Sequence, residues 1–330
     1  MEFGAQLGLY GTNYWSNIRE TVEALDAGRW SSIWFPDHFM PPGNPDAGHG
    51  HALEAWTILS AIASITSRAK LGILATGNTY RNPALLAKMC ASLDHVTGGR
   101  MVLGLGAAWY EREHLAYGWE FPPLKERSDR LEEAAELIRL LFTKAEDEYV
   151  SFDGNFYRLD EAPLTPGSTQ SPHIPILIGG NGEKRTLRTC AKFGDQFNLD
   201  FWHPGGVDVF KHKSKVVEEH CESVGRDPSE VKRSVCLPFR LFEFSFSQPG
   251  SGTGGISTPP DLSRYRLWRS LRRAPDLAHT LRGRCPATTP AAGGARAGGG
   301  RRAPRRDAAA AARPRAPPAA CLLYTSPSPR

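Results

Sequence analysis

The sequence predicts an α/β protein with a TIM (β/α)8-type barrel that is truncated before strand 8. Seven short apolar segments alternate with helical segments about every 25–35 residues, which is typical of repeated β-α-β units around a parallel sheet. Seven strands are more than a single dinucleotide-binding sheet contains. They are one fewer than the eight strands of a closed barrel. The composition changes where the eighth strand is expected.

The predicted elements follow in chain order. The strands are expected at residues 3–9, 33–35, 71–75, 101–105, 176–178, 196–199 and 234–242. Helices are expected around residues 18–27, 53–65, 83–97, 123–142, 183–193 and 207–224, where apolar residues recur at helical spacing. Residues 150–157 predict a β-hairpin with Asp153-Gly154 in its turn.

The last quarter of the chain differs from the rest in charge and composition. From Phe244 onward there are 15 Arg and three Asp, with no Lys or Glu, so this segment carries +12. The whole chain carries +5, which leaves −7 for residues 1–243. The tail is rich in Ala, Gly, Pro and Arg and lacks apolar periodicity, which is typical of disorder.

The end of the chain resembles sequence of another origin. Residues 321–330 closely resemble a translated sequencing-library transposase adaptor, and the tail composition is what an out-of-frame reading of GC-rich DNA gives. We expect residues 1–243 to form one incomplete barrel domain. Residues 244–330 are expected to be a disordered, artefactual tail behind a frameshift near residues 242–247. A genuine disordered basic tail is the alternative.

Composition also excludes several classes of function. The acidic body argues against nucleic-acid binding. An apolar stretch of 18 residues is missing, so a membrane helix is not expected. The six cysteines show no C-x-x-C spacing, and zinc or redox motifs are therefore unsupported. Cys90 and Cys190 are expected to be buried thiols, and a cytoplasmic protein is the expectation.

Asp37 and His38 follow the second predicted strand and are the candidate catalytic pair. A histidine at a strand end can move a proton or bind a developing alkoxide, and a neighbouring carboxylate can orient it. The alternative is a histidine packed beneath the loop with Asp37 capping the next turn. His49 and His51 lie in the following stretch, where His-x-His alone is weak evidence for a metal.

Two further clusters predict a surface for a flat ring. After the third strand, Ala75 and Gly77 allow close approach to the backbone, and Thr76 and Asn78 offer hydrogen bonds. An ordinary β-to-α turn is the alternative.

After the fourth strand, Gly104-Leu105-Gly106-Ala107-Ala108-Trp109 lacks the third glycine of a dinucleotide fingerprint and instead predicts close backbone approach. Trp109 is expected to form a wall of the site or to pack in the core. Residues 111–114 are polar and could contribute to the site, but they are expected to be a solvated first helical turn.

The fourth cluster, Gly179-Gly180-Asn181-Gly182, predicts an anion site. Glycines let successive N–H groups converge, and a helix expected to begin near Glu183 adds partial positive charge. Its spacing does not match a P-loop. A plain tight turn is the alternative, but phosphate is often held by late loops in eight-stranded barrels.

These clusters, in this order, resemble the luciferase-like monooxygenase family, and within it the branch of coenzyme F420-dependent oxidoreductases. The matching stretches are residues 35–39, 71–83, 94–100, 103–118 and 175–188. The resemblance implies a barrel with an insertion after strand 4, a dimer, and a flavin or deazaflavin across the strand ends.

The resemblance also assigns residues. It implies a non-proline cis peptide near Leu74–Ala75 where the ring packs, with Gly106 and Ala107 nearby. Asp37 and His38 match the family's substrate-facing pair, and Gly179 and Gly180 match its phosphate loop. Some members that oxidise sugar phosphates use a glutamate at the position of Trp109, so that activity is not expected here.

The sequence therefore predicts an oxidoreductase that transfers a hydride between coenzyme F420 and a small organic substrate. His38 would donate or accept the proton and Asp37 would orient it. An FMN-dependent monooxygenase and a non-functional truncated product are the alternatives. A NAD enzyme is disfavoured by the missing third glycine and the strand count. A homodimer is expected for the full-length protein.

Overall fold

A ring of eight β-strands with helices outside it forms the architecture of the protein, taken from a computed structural model. The structure describes residues 2–11, 13–42, 51–200, 206–239 and 320–326. These residues fall in one compact unit, Met1–Phe244 with Pro318–Arg330, and a second unit, Ser245–Pro317, lies outside the described residues.

The strands run in the order expected of repeated β-α-β units. They are β1 (Glu2–Leu7), β2 (Ser32–Phe35), β3 (Lys70–Ile73), β4 (Thr76–Gly77), β5 (Met101–Gly106), β6 (Val150–Asp153), β7 (Arg158–Ala162), β8 (Ile176–Gly179), β9 (Gln196–Leu199), β10 (Lys232–Phe239) and β11 (Ala320–Ser326). The main sheet has the order β3-β2-β1-β11-β10-β9-β8-β5-β4, and β3 also pairs with β5, which closes the ring. The predicted α/β barrel is confirmed.

The helices lie between the strands. They are α1 (Trp15–Ala27), α2 (Ala55–Ala63), α3 (Pro83–Thr97), α4 (Glu111–Ala116), α5 (Leu124–Thr143), α6 (Thr186–Phe193) and α7 (Gly206–Ser223). Six match the predicted helices to within a few residues, whereas α4 was expected only as a single polar turn. Within the part of the chain that the structure describes, no helix is long and apolar enough to cross a membrane.

Two of the parallel strands, β2 and β5, are buried along their whole length. All four residues of β2 and all six of β5 are buried. Such continuous burial is typical of parallel strands, which are covered on both faces. Cys90 and Cys190 are also wholly buried, as expected for small apolar side chains.

The eighth position of the ring differs from the expectation. A gap with two open strand edges was expected between β1 and β10, with residues 244–330 disordered. Instead β11 pairs antiparallel with both neighbours, over six residue pairs with β1 and seven with β10. This pairing satisfies edge N–H and C=O groups that would otherwise face water. The predicted domain boundary after residue 243 lies outside the described residues and stays a prediction.

Local signals fix the start and end of α3, which follows one of the polar clusters. The Asn82 side chain accepts hydrogen bonds from the backbone N–H of Ala84 and Leu85, and Pro83 occupies the first turn. Gly98 ends the helix in the left-handed conformation, with φ of +64°. The helix therefore begins directly after residues 76–81 and fixes that cluster at the rim of the barrel.

The expected hairpin forms the insertion between β5 and β8. Its strands β6 and β7 pair antiparallel and enclose residues 154–157. The turn is thus longer than the two residues Asp153-Gly154 that the sequence indicated. The reason lies in α5: the Glu133 carboxylate accepts the N–H groups of Asn155, Phe156 and Tyr157 at 2.7–2.9 Å and so holds an open turn.

Candidate active site

The four predicted clusters lie at one edge of the barrel. Strands β2, β3, β5, β8 and β9 pair in parallel, so their carboxyl ends point the same way. Residues 36–39, 76–81, 107–110 and 180–182 follow four of these ends. This is the edge on which barrel enzymes carry their sites.

Small residues form a flat floor at this edge. The peptide bond Leu74–Ala75 is cis, as the resemblance implied. A Cβ added to Gly179 would lie 3.1 Å from the Ala75 Cβ, and one added to Gly106 would lie 3.5 Å from the same atom. The three small residues therefore meet, and larger side chains would fill the space above the strand ends. Gln6 supports the floor, because its Nε2 donates to the Leu74 carbonyl at 2.7 Å.

Two polar side chains beside this floor keep unused hydrogen-bonding atoms. Thr76 is fully buried, and its Oγ1 has no hydrogen-bond partner among the described residues. Asn78 is 3% exposed; its Nδ2 donates to the Tyr157 hydroxyl at 3.0 Å, and its Oδ1 has no partner in the described chain. Buried polar atoms are nearly always paired in native proteins. These two atoms therefore fit a ligand with polar edges.

His38 is held by Glu113. Its Nδ1 lies 3.1 Å from Glu113 Oε2, and the glutamate side chain is completely buried. The same carboxylate accepts the Phe39 N–H at 2.7 Å and the Tyr80 hydroxyl at 3.0 Å. A carboxylate that accepts from Nδ1 favours the tautomer in which Nδ1 carries the proton. The other nitrogen of His38, Nε2, is then left as a proton acceptor.

Asp37 does not orient His38, which corrects the expected pairing. Its carboxylate binds Arg81, with Nη1 to Oδ2 at 2.7 Å and Nη2 to Oδ1 at 3.2 Å, and accepts the Gly77 N–H at 3.0 Å. Burial raises the pKa of Asp37 above its usual range despite the opposing effect of Arg81. Arg81 also binds Glu54 at 2.6 Å. Asp37 thus ties the loop after β2 to the loop after β4.

The expectation of a solvated turn at residues 111–114 is wrong for its second half. Glu111 and Arg112 are exposed, but Glu113 and His114 are completely buried. His114 Nε2 lies 2.6 Å from Thr79 Oγ1, its Nδ1 lies 2.9 Å from the Tyr110 carbonyl, and its ring stacks on Tyr80. A run of four polar residues gave no signal for this. Only the helical position of each residue separates the buried pair from the exposed pair.

Aromatic rings line the approach to His38. The Trp109 and Tyr110 rings lie edge-on to the imidazole at centroid distances of 5.4 and 6.0 Å, and Tyr10 lies at 6.3 Å. Trp109 is 56% exposed, so it forms a wall and not part of the core. The Tyr10 hydroxyl is buried without a hydrogen-bond partner among the described residues, and burial raises its pKa.

The glycine cluster after β8 forms a turn before α6. Gly180 has φ of +121°, a conformation that favours glycine, and a Cβ on Gly182 would lie 3.0 Å from Thr186 Oγ1. The helix begins at Thr186, three residues later than expected, since residues 183–185 form a turn. Asn181 donates to Asp200, and its Oδ1 is buried without a partner in the described part of the chain.

The basic residues near this turn differ in their availability. Arg185 binds Asp129 and the Lys125 carbonyl, and Lys213 binds Glu183 at 2.7 Å. Lys184 is exposed. Lys213 Nζ also donates to the Asn181 carbonyl at 2.9 Å, so this ammonium group lies against the turn.

Of the two weaker histidine candidates, the structure describes His51 alone. His49 lies outside the described residues. The His51 ring packs against Tyr14 at a centroid distance of 4.5 Å. Among the described residues, no group of three or more His, Cys, Asp or Glu could hold a metal ion.

A family model described as luciferase-like monooxygenase matches residues 1–240. The chain belongs to the luciferase-like monooxygenase family. The family match agrees with the expected class of enzyme, an oxidoreductase.

Two curated relatives are 30% and 32% identical to this chain over the aligned residues. An F420-dependent glucose-6-phosphate dehydrogenase of Kineococcus radiotolerans is 32% identical over 216 residues, which is 65% of this chain and 60% of that protein. The enzyme of the same name from Amycolatopsis mediterranei is 30% identical over 220 residues, 66% of this chain and 62% of that protein. The chain thus spans about three fifths of the length of these relatives.

Solved structures support the fold. An F420-dependent secondary alcohol dehydrogenase, solved with an F420–acetone adduct, aligns with a TM-score of 0.61 at 24% identity, over 71% of this chain and 68% of that one. A monooxygenase from Streptomyces bottropensis aligns with a TM-score of 0.57 at 22% identity, over 71% of this chain and 70% of that one. Luciferase-like neighbours of this barrel type thus include both F420 enzymes and monooxygenases.

Proposed function

We propose that the protein is an oxidoreductase that moves a hydride between coenzyme F420 and a small, uncharged alcohol or carbonyl compound. One observation carries the proposal: the buried Glu113 holds His38 at the barrel edge that also carries the small-residue floor, with Nε2 left as a proton acceptor. The F420-dependent dehydrogenases among the relatives support the choice of cofactor.

The residues at the strand ends fit a ring with a phosphate-bearing side chain. The floor of Ala75, Gly106 and Gly179 would lie against the ring face, and Thr76 and Asn78 would bind its polar edge. Residues 180–182 would hold the phosphate with backbone N–H groups. The bound deazaflavin supplies the hydride acceptor or donor.

His38 supplies the proton step that must accompany hydride transfer. As an alcohol is oxidised, its carbon loses a hydride and its hydroxyl loses a proton, which passes to His38 Nε2. In the reverse direction His38 returns the proton to the carbonyl oxygen. Glu113 stabilises the imidazolium that forms, because its carboxylate is already bound to Nδ1. Asp37 takes no part in this step, since its carboxylate is bound to Arg81 and Gly77.

The walls around His38 favour an uncharged substrate. Trp109, Tyr110 and Tyr10 offer aromatic surface and a hydroxyl. Arg81, which binds the Asp37 carboxylate next to His38, is also bound to Glu54 and is thus paired with two carboxylates. The sugar phosphate named for the relatives is therefore not carried over to this chain, in agreement with Trp109 at the position of their glutamate.

An FMN-dependent monooxygenase is the second candidate, because FMN carries the same kind of ring and phosphate and a monooxygenase shares the fold. To separate the two, the 330-residue protein is titrated with F420 and with FMN while the fluorescence of each cofactor is followed. The loaded protein is then mixed with secondary alcohols. We expect F420 to bind and to be reduced by an alcohol. Binding of FMN alone would favour the monooxygenase, and binding of neither cofactor would favour the non-functional product.

We also propose a homodimer. Leu85 and Val96 on α3 are 55% and 60% exposed, and their spacing of about three helical turns places both on the same face of the helix. Light scattering during size-exclusion chromatography measures the mass directly, and a monomer at micromolar concentration would refute this proposal.

A further inference from the structure

The inserted hairpin contributes a side chain to the ring site. Tyr157, at the end of the hairpin turn, lies 79 residues from Asn78 in sequence, and its hydroxyl accepts the hydrogen bond from Asn78 Nδ2 at 3.0 Å. Neither the cluster after β4 nor the hairpin sequence indicated this contact. It links an insertion outside the barrel to a residue beside the floor.

The hairpin turn is fixed in place and is not a loose loop. Glu133 on α5 accepts the N–H groups of Asn155, Phe156 and Tyr157, and the glutamate is 9% exposed. A Cβ on Gly154 would overlap the Glu133 carboxylate, so any larger residue there would displace that carboxylate. Three bonds to one buried carboxylate therefore set the position of the Tyr157 backbone.

This contact determines what Asn78 can offer a ligand. Its amide nitrogen is engaged by Tyr157, while Oδ1 is buried and without a partner among the described residues. An acceptor that is buried without a hydrogen bond destabilises the folded protein. A ring N–H would satisfy it, and both deazaflavins and flavins carry such a group on their pyrimidine edge.

We propose that Tyr157 is a positioning residue for the cofactor ring: it holds the Asn78 amide so that Oδ1 accepts a hydrogen bond from a ring N–H. This inference rests on the proposed function. It adds that the insertion takes part in cofactor binding. Burial also raises the pKa of the Tyr157 hydroxyl, which therefore stays neutral at physiological pH.

Tyr157→Phe tests the proposal, since it removes one hydroxyl and keeps the ring. Cofactor dissociation constants are measured by fluorescence titration of the 330-residue protein with F420 and with FMN, and the visible absorption band of the bound cofactor is recorded. We expect Tyr157→Phe to weaken binding of the preferred cofactor about fivefold to tenfold and to shift the band toward its free position. The melting temperature without cofactor should change by less than about 3 °C.

Tyr149→Phe is the matched control, because Tyr149 precedes the same hairpin and is 66% exposed. It should leave the dissociation constant and the band unchanged. Glu133→Gln is the second variant: it loosens the turn without touching Asn78 and should also weaken binding.

The outcomes separate the two proposals. If the unmodified protein binds a cofactor and Tyr157→Phe binds it equally well with the same band, the role of Tyr157 is overturned and the proposed function stands. If the unmodified protein binds neither cofactor, both are overturned. Equal loss of binding in Tyr149→Phe and Tyr157→Phe would also overturn the role of Tyr157, because the effect would not be specific to its hydroxyl.

Discussion

His38 Nδ1 and Glu113 Oε2 lie 3.1 Å apart although 75 residues separate them in the chain. The contact joins the loop after β2 to helix α4. It gives the imidazole a fixed orientation, because the same buried carboxylate also binds the Phe39 N–H and the Tyr80 hydroxyl. The carboxylate that orients His38 is thus that of Glu113, which follows β5, and not that of the neighbouring Asp37.

Replacing Glu113 with Gln should slow turnover more than it weakens substrate binding. The amide keeps the size of the side chain but cannot stabilise the imidazolium, so we expect kcat to fall about tenfold to a hundredfold with a small change in KM. Steady-state kinetics across pH 5–9 measures both constants. Glu111→Gln is the control, because Glu111 is exposed on the same helix. Equal kinetics in the two variants would remove Glu113 from the mechanism.

A methyl group on the floor should obstruct the cofactor. Gly179→Ala places a Cβ about 3.1 Å from that of Ala75, in the space above the strand ends. We expect the cofactor dissociation constant to rise more than about tenfold, since the ring can no longer approach the backbone. Gly167→Ala is the control, because its added Cβ would lie 3.6 Å from the Leu164 carbonyl oxygen, which is an ordinary van der Waals distance. Unchanged affinity in Gly179→Ala would place the ring elsewhere.

Asp26 should make stability depend on pH. Burial raises its pKa, but hydrogen bonds from the N–H groups of Ala69, Ser67 and Arg68 outweigh this, and the net pKa is lowered. Because the folded pKa lies below the unfolded value of about 3.9, the stabilisation is complete above that value and is lost as pH falls through the folded pKa.

Thermal melts of Asp26→Asn between pH 3 and pH 7 check this linkage. At pH 7 the variant should have a lower melting temperature than the unmodified protein, with a free energy of unfolding about 1 kcal/mol smaller. This difference in stability should become smaller below about pH 4. Asp160→Asn, at an exposed position, should be as stable as the unmodified protein at both pH 3 and pH 7. If the stability difference between Asp26→Asn and the unmodified protein stays constant over the whole range, the lowered pKa of Asp26 is contradicted.

Strand β11 should stabilise the barrel. Ending the chain after residue 319 removes its pairing with β1 and β10 and opens two strand edges. We expect a lower melting temperature and greater concentration-dependent aggregation, measured by circular dichroism and light scattering. An identical melt for the shortened chain would show that residues 320–326 contribute nothing to barrel stability.

Repetition made the barrel predictable, and long-range contacts limited what could be predicted of the site. Short apolar strands, capped helices and glycine turns are local signals, and they located the strand ends and the clusters that follow them. The contacts of His38 with Glu113 and of Asn78 with Tyr157 span 75 and 79 residues. No local pattern encodes such pairs. Adjacency in sequence indicates Asp37 as the partner of His38, whereas the fold supplies Glu113.

The helix after β5 shows the same limit at shorter range. Residues 111–114 are uniformly polar, yet the fold buries Glu113 and His114. Their partners come from the loops after β2 and β4, so the burial depends on the closed barrel. The sequence did not indicate the antiparallel strand β11 for a similar reason. Its partners are β1, at the other end of the chain, and β10, which about 80 residues separate from it.

Single-turnover hydride transfer in His38→Gln is the most direct test of the proposed chemistry. The variant and the unmodified protein are loaded with the same amount of F420, confirmed by fluorescence, and mixed with a secondary alcohol. We predict equal cofactor binding and a rate at least about a hundredfold lower in His38→Gln. Equal rates in the two loaded proteins would contradict the assignment of His38 as the proton acceptor of this site.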